Sequence, residues 1–334
     1  MRPTLRFLAL AFGGLFLLGL AVEARARAPL LLGAGDQTYR WVPGWAKLPD
    51  GMTLGSTHGC IAIDQADNVY VCTDTENAVV VFDRAGNFLR AFGKELAGGL
   101  HGMQLRKEGS EEFLYLAHLA RHQVLKTTLA GEILWTLGYP AESGLYEDPA
   151  QFLPTSVAVA PNGDLYVADG YGLSWIHVFD AERHYKRSFG GLGALRGQFN
   201  TCHGLSVVEW KGAQVLVVAD RENHRLQVLD LEGRVLAVTP GELRRPCDVE
   251  ELGGALLVPD LAGRVTVLGA GGEVLAQLGE QPDPSLWARN DVGREHWKDG
   301  EFLSPHCARW DSHGDLYVVD WSLLGRISKL ERVR

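Results

Sequence analysis

A pattern of short β-rich runs recurs six times along the chain, and that repetition restricts the fold more tightly than any single residue does. The copies begin at Thr57, Leu100, Pro154, Cys202, Pro246 and Pro305. Each opens with an apolar-alternating run, turns at residues such as Asn162-Gly163 or His313-Gly314, and continues in a second run such as Leu165-Tyr166-Val167. Two further turns and strands follow. Four short antiparallel strands per copy, repeated at roughly forty to sixty residues, match the blades of a propeller. The expected fold is therefore all-β, a six-bladed β-propeller; a seventh copy for a larger ring is missing. The last copy ends at Arg334 with three clear strands, while Tyr39-Arg40-Trp41-Val42 is a strand without a blade. It is expected to complete the last blade, because closure removes unpaired edges.

Ahead of the repeats, Arg2 and Arg6 precede an apolar run from Phe7 to Val22, followed by small residues in Ala24-Arg25-Ala26 and Ala26-Arg27-Ala28. That grammar predicts a secretory signal peptide over 1–26 and a single propeller domain over 27–334, exported to a periplasmic or extracellular space. The run falls short of the roughly 20 residues a membrane-spanning helix needs, so no stable span is expected after cleavage. A formal charge of −9, from 32 basic and 41 acidic residues, argues against nucleic acid bound on a basic face. Export permits disulfides, but five cysteines leave at least one thiol over. Cys60 and Cys72 lie on successive strands, and spacing alone leaves their pairing open.

The first position of the innermost strand reads, blade by blade, His58, His101, Thr155, His203, Cys247 and His306. Equivalent positions of a propeller face one axis, and alternate blades sit about 120° apart, so His101, His203 and His306 form a potential tripod. Three histidines with one open position suit a catalytic zinc, whereas structural zinc usually takes four protein ligands. His58 is a fourth ligand or a substrate contact. Tyr171, between two glycines, is either a turn residue or a proton carrier beside the metal. Cys202, Cys247 and Cys307 adjoin or occupy the inner positions and are expected to pack as small apolar residues, with soft metal ligation as the alternative. An acid ends the second strand in five copies (Asp74, Asp169, Asp220, Asp260, Asp320), and His118 stands there in the other. Repetition of that kind points to architecture, with each carboxylate bonding the turn that follows. Arg221, Glu222 and Arg225 read as a solvated salt-bridge run, and the stretch from His296 to Phe302 as a loop that could rim the channel.

Asp220-Arg221-Glu222-Asn223-His224-Arg225 resembles the NHL-repeat class of six-bladed propellers. A narrower similarity lies in DGYGLSW from Asp169, GQFNTCHGL from Gly197, VADRENHRLQ from Val218 and SPHCARWDSHGDLYVVD from Ser304, with HGMQ from His101 and ARHQVLK from Ala120. In that order they resemble the lyase domain of peptidylglycine amidating enzymes. The resemblance implies zinc on His101, His203 and His306, an active-site tyrosine at Tyr171, and cleavage of a peptidyl α-hydroxyglycine into a peptide amide and glyoxylate. The chain departs from the family pattern at four places. His58 stands where a substrate-binding arginine is expected, Ser304 replaces a methionine, and Gly172 replaces a disulfide cysteine. Cys307 replaces a calcium-binding aspartate, so zinc rather than calcium is the implied cofactor.

Two functions follow as expectations. The first is a zinc-dependent carbon–nitrogen lyase acting on a small-molecule or peptide substrate, with His58 and Tyr171 as catalytic groups. The second is a non-catalytic NHL propeller whose loops bind a protein, peptide or glycan partner, since propeller folds host many roles.

Overall fold

The structure is a computed structural model and describes residues 28–239 and 243–334. The expected signal peptide, 1–26, lies outside the described residues. Five four-stranded sheets and one five-stranded sheet, all antiparallel, make a six-bladed β-propeller. The innermost strands are Ile61–Ile63, Leu100–Glu108, Ser156–Val159, Cys202–Trp210, Glu250–Leu252 and Pro305–Trp310.

Burial within a blade explains its sequence. In the first blade the middle strands, Val69–Cys72 and Val79–Phe82, are buried at every residue. Each is covered on both faces by neighbouring blades, so Val and Phe run without polar alternation, as in any sheet covered twice. The outermost strand, Phe88–Phe92, is partly exposed along its length and admits Arg90. The core is thus a ring of inter-blade seams rather than one central mass. In one such seam Tyr166, Ile176 and Val178 pack on Leu205, Leu216 and Leu229 of the next blade.

The last blade borrows its fourth strand from the N-terminal side. Tyr39–Val42 pairs antiparallel with Arg326–Arg332, placing Trp41 opposite Leu330. Trp310 donates from its indole nitrogen to the Tyr39 hydroxyl at 3.0 Å, which satisfies both buried polar tips. A two-residue strand, Leu31–Leu32, adds a fifth member outside it. The first and last blades are also joined covalently by a Cys60–Cys307 disulfide, with Cα atoms 5.1 Å apart. Cys72 is a buried free thiol, as are Cys202 and Cys247.

The recurring acids are architectural, but their direction differs from the expectation. Asp220 accepts from the Asn200 backbone N–H, Asp260 from those of Arg244 and Arg245, Asp320 from those of Leu303 and Ser304, and Asp169 from that of Leu153. These are the segments that enter the innermost strands; Asp169 also holds the turn that follows through the Leu173 N–H, and Asp220 does so through the Asn223 side-chain amide. In the second blade His118 stands in, with one ring nitrogen on the Leu96 carbonyl and the other on the Arg121 N–H. The repeat therefore fixes the entry of each inner strand, which sets the position of the residue facing the axis. Among the described residues no helix is long and apolar enough to cross a membrane.

Candidate functional site

Each of the three candidate ligand histidines sits where the inner strand carries an extra residue. The register slips between Leu100 and Met103, between Cys202 and Leu205, and between Pro305 and Cys307. A bulge of this kind bends its strand and re-aims a side chain. Here it frees His101, His203 and His306 from the pleat.

The residue after two of them is glycine for a specific reason. A Cβ on Gly102 would lie 2.6 Å from the Thr155 carbonyl oxygen, and one on Gly204 would lie 2.5 Å from that of Cys247. Those carbonyls hold the preceding imidazoles. His101 Nδ1 is 2.7 Å from the Thr155 oxygen and His203 Nδ1 is 2.7 Å from the Cys247 oxygen. Because a carbonyl only accepts, both Nδ1 atoms carry the proton and both Nε2 lone pairs are free for another partner.

The imidazoles are close together. Ring centroids of His101, His203 and His306 form a nearly equilateral triangle with sides of 4.7, 4.8 and 4.9 Å. His58 joins it, 4.9 Å from His101 and 5.3 Å from His306, and Trp321 walls its other side at 5.7 Å. Donor atoms within 4.8 Å of one another form two sets that share His306: His58, His101 and His306, and His203, Cys247 and His306. Burial drives the pKa of His101, His203 and His306 well below the ordinary histidine value, and each is pushed further by charges around it. All three are neutral at physiological pH, the form that binds metal. His306 is only 4% exposed, yet neither of its ring nitrogens has a hydrogen-bond partner. A buried imidazole without partners costs free energy unless something else satisfies it, and an ion would. The residues fit a metal through those two sets; the expected trio of His101, His203 and His306 is not itself one of them, its members being divided between the two sets that meet at His306.

Tyr171 lies over this cluster. Its hydroxyl is 3.0 Å from His203 Nε2 and 3.4 Å from His101 Nε2. Arg221 donates to the same oxygen at 3.1 Å, and its guanidinium stands 5.3 Å from the ring centroid. Burial raises the Tyr171 pKa and Arg221 opposes it. The expectation of a solvated run at Arg221 and Glu222 is corrected here. The Arg221 side chain is 11% exposed, and Glu222 accepts from both Arg221 and Arg245. Sequence reasoning missed it because a run of charges ending a strand usually faces water; the following short helical turn, Arg221–Asn223, tucks this arginine inward instead. Arg225 is a support, bonded to the buried Asp220. The loop from His296 to Phe302 packs at the blade edge, where Trp41 donates to Asp299 at 3.0 Å and Arg326 reaches the Lys298 and Glu301 carbonyls.

Deeper along the inner strands the character changes. Asp248 Oδ2 lies 3.2 Å from each sulfur of the Cys60–Cys307 bridge and pairs with Arg309. Glu250 accepts from the Trp310 N–H at 2.7 Å, and burial pushes its carboxyl up to about 7 despite Arg309. Cys307, where the resemblance places a calcium-binding aspartate, is thus a bridged sulfur. Cys247 is fully buried, as expected, and its sulfur lies within 4.8 Å of ring nitrogens of His203 and His306.

No family model matches the chain. It is 28% identical over 214 residues to human NHL repeat-containing protein 3, covering 58% of this chain and 56% of that protein. It is 27% identical over 250 residues to peptidyl-alpha-hydroxyglycine alpha-amidating lyase 2 of Drosophila melanogaster, covering 73% and 58%. A probable peptidyl-alpha-hydroxyglycine alpha-amidating lyase of Caenorhabditis elegans is 33% identical over 153 residues, covering 45% and 42%. The chain thus spans little more than half the length of the human and fly relatives and less than half of the nematode one. Among solved structures, a streptogramin B lyase superposes with a TM-score of 0.57 at 13% identity, covering 85% of this chain and 95% of that one. A virginiamycin B lyase from Staphylococcus aureus gives 0.55, also at 13% identity, covering 85% and 97%. Those two likenesses establish the shared propeller architecture.

Proposed function

We propose that this chain is an exported, metal-dependent lyase that cleaves the carbon–nitrogen bond of a peptidyl α-hydroxyglycine or a related small carbinolamide at the histidine mouth of the channel. The observation that carries this reading is the Tyr171 hydroxyl, which accepts from Arg221 and lies against the Nε2 atoms of His203 and His101, the atoms that would turn to an ion. Similarity to amidating lyases supports the substrate class. His101, His203 and His306 would hold the ion, for which zinc suits the neutral imidazole donors. Bound there, zinc would act as a Lewis acid toward the carbinol oxygen and stabilise negative charge on it.

The remaining chemistry belongs to the chain. Cleavage needs the carbinol O–H proton removed as a C=O bond forms, the C–N electron pair taken by nitrogen, and a proton delivered to that nitrogen. Tyr171 Oη would move this proton, with Arg221 favouring its deprotonated form against the pull of burial. His58 is pushed toward its neutral form chiefly by burial and offers a donor or an acceptor at the mouth. A substrate carboxylate would therefore take its charged partner from Arg221 or Arg245 rather than from position 58. Elimination consumes no water, and the Trp321 ring, 5.7 Å from His58, would help to exclude it.

Release of glyoxylate from an α-hydroxyglycine peptide, by the full chain with and without added zinc, tests the proposal. Metal-dependent glyoxylate that disappears in Tyr171→Phe supports it. Stoichiometric metal with no turnover on such peptides or related carbinolamides favours the binding module, a reading that the missing arginine at position 58 keeps specific.

A further inference from the structure

Cys247 holds the inner position of the fifth blade, between the blades that carry His203 and His306, and it is fully buried. Three observations set it apart from the other free thiols. Its sulfur belongs to a donor set with His203 and His306 in which all ligand atoms lie within 4.8 Å. Its own carbonyl oxygen fixes the His203 tautomer, so the same residue orients one imidazole and points its side chain at the group that imidazole would bind. The third member of the set, His306, is the buried side chain with no partner on either nitrogen. Cys202, although adjacent to His203 in sequence, turns its sulfur to the Trp175 carbonyl at 3.6 Å, and Cys72 turns toward Met103.

We infer that Cys247 is a ligand of the ion, making the centre a mixed imidazole–thiolate site rather than a histidine-only one. The inference rests on the metal-dependent reading above and deepens it. Charge gives the physical reason. Three neutral imidazoles leave a divalent ion uncompensated, and the nearby wall is already positive because Glu222 is shared between Arg221 and Arg245. An uncompensated buried charge is costly, and a thiolate supplies the missing negative charge in direct contact with the ion. A sulfur donor also sets the specificity, favouring zinc, cadmium or cobalt over magnesium, calcium or manganese. Cys247, His203 and His306 would hold the ion as one set, leaving a further position for His101 or for substrate.

The test is a cobalt(II) titration of the metal-free full chain without reductant, which keeps the Cys60–Cys307 bridge intact. The expected result is visible ligand-field absorption that saturates together with a near-ultraviolet thiolate-to-cobalt charge-transfer band. Cys247→Ser should remove the charge-transfer band and weaken binding by at least about 10- to 100-fold, the range that even outer partners of a metal cost. Cys72→Ser and Cys202→Ser should leave both signals. Ligand-field bands without charge transfer in the unaltered chain would overturn Cys247 ligation while leaving the histidine site standing, as would a charge-transfer band that survives Cys247→Ser. Absence of any cobalt signal would overturn both. X-ray absorption on the zinc-loaded unaltered chain decides the same point without a variant: a sulfur at about 2.3 Å supports ligation, and its absence overturns it.

Discussion

The two ends of the inner-strand channel are built from the same six strands and satisfied in opposite ways. Where the strands begin, His58, His101, His203 and His306 crowd together, and neither ring nitrogen of His306 makes a hydrogen bond. A few residues further along, Asp248 is paired with Arg309, Cys60 is bridged to Cys307, and Glu250 is bonded to the Trp310 backbone. The deep end is finished by the protein itself, while the mouth is left with lone pairs. Stability alone would not keep that arrangement, and the proposed function draws on this difference, with the histidines for chemistry and the bridge for ring closure.

The largest expected effect separates the ends outright. His101→Ala, His203→Ala or His306→Ala should each cost more than about 100-fold in zinc affinity, beyond the range for outer-shell partners. A Cys60→Ala/Cys307→Ala double variant should leave zinc stoichiometry unchanged. It should instead lose about 2–5 kcal/mol of unfolding free energy, because a bridge spanning 247 residues of sequence constrains the unfolded chain strongly. Equilibrium titration with a zinc chelator and chemical denaturation check the two arms, and a double variant that loses the metal would erase the distinction.

Next in size are the groups over the mouth. Tyr171→Phe and Arg221→Lys should lower turnover by about 10²- to 10⁴-fold, the usual reach of a proton-transfer group, with metal content intact. A pH–rate profile that keeps its shape in Tyr171→Phe would remove the tyrosine from the mechanism.

The sixfold repeat made the ring and its axial positions legible, because a fixed offset in each copy has to face the same place. Tyr171 was legible only through the motif around it. The bulges were not, since one extra residue leaves no compositional trace beyond the glycine after His101 and His203. Arg221 was hidden by its charged neighbours, and the Cys60–Cys307 bridge by a separation that ring closure, rather than local spacing, sets. The acids were visible as a repeat, but only the fold shows that they grip the entrance of the inner strand.

Acid should sharpen the contrast between the ends. The mouth histidines have lowered pKa values in the folded chain, so the unfolded chain takes up their protons first. Their contribution to stability is present above the unfolded value of about 6.5 and is lost as pH falls toward the folded values. Glu250 behaves oppositely. Its value is raised to about 7, so its contribution is present below about 4.5 and is lost as pH rises through 7, softened because 27% of its side chain is exposed. Glu250→Gln should flatten the loss between about pH 5 and 7 in urea unfolding and leave the acid limb alone. An unchanged profile would mean that solvent screens Glu250 fully.

The smallest effect is the most diagnostic of an interior kept for function. His306→Leu should stabilise the metal-free chain by about 1–2 kcal/mol, since it removes two buried nitrogens that nothing satisfies. Destabilisation on thermal unfolding would show that these nitrogens have partners after all.

Whether the mouth holds a metal ion is tested most directly by elemental analysis of the purified full chain, run beside His306→Leu. About one zinc per chain is expected, lost in the folded variant. Equal metal content in the two proteins, or none in either after zinc loading, would contradict a metal centre at the mouth.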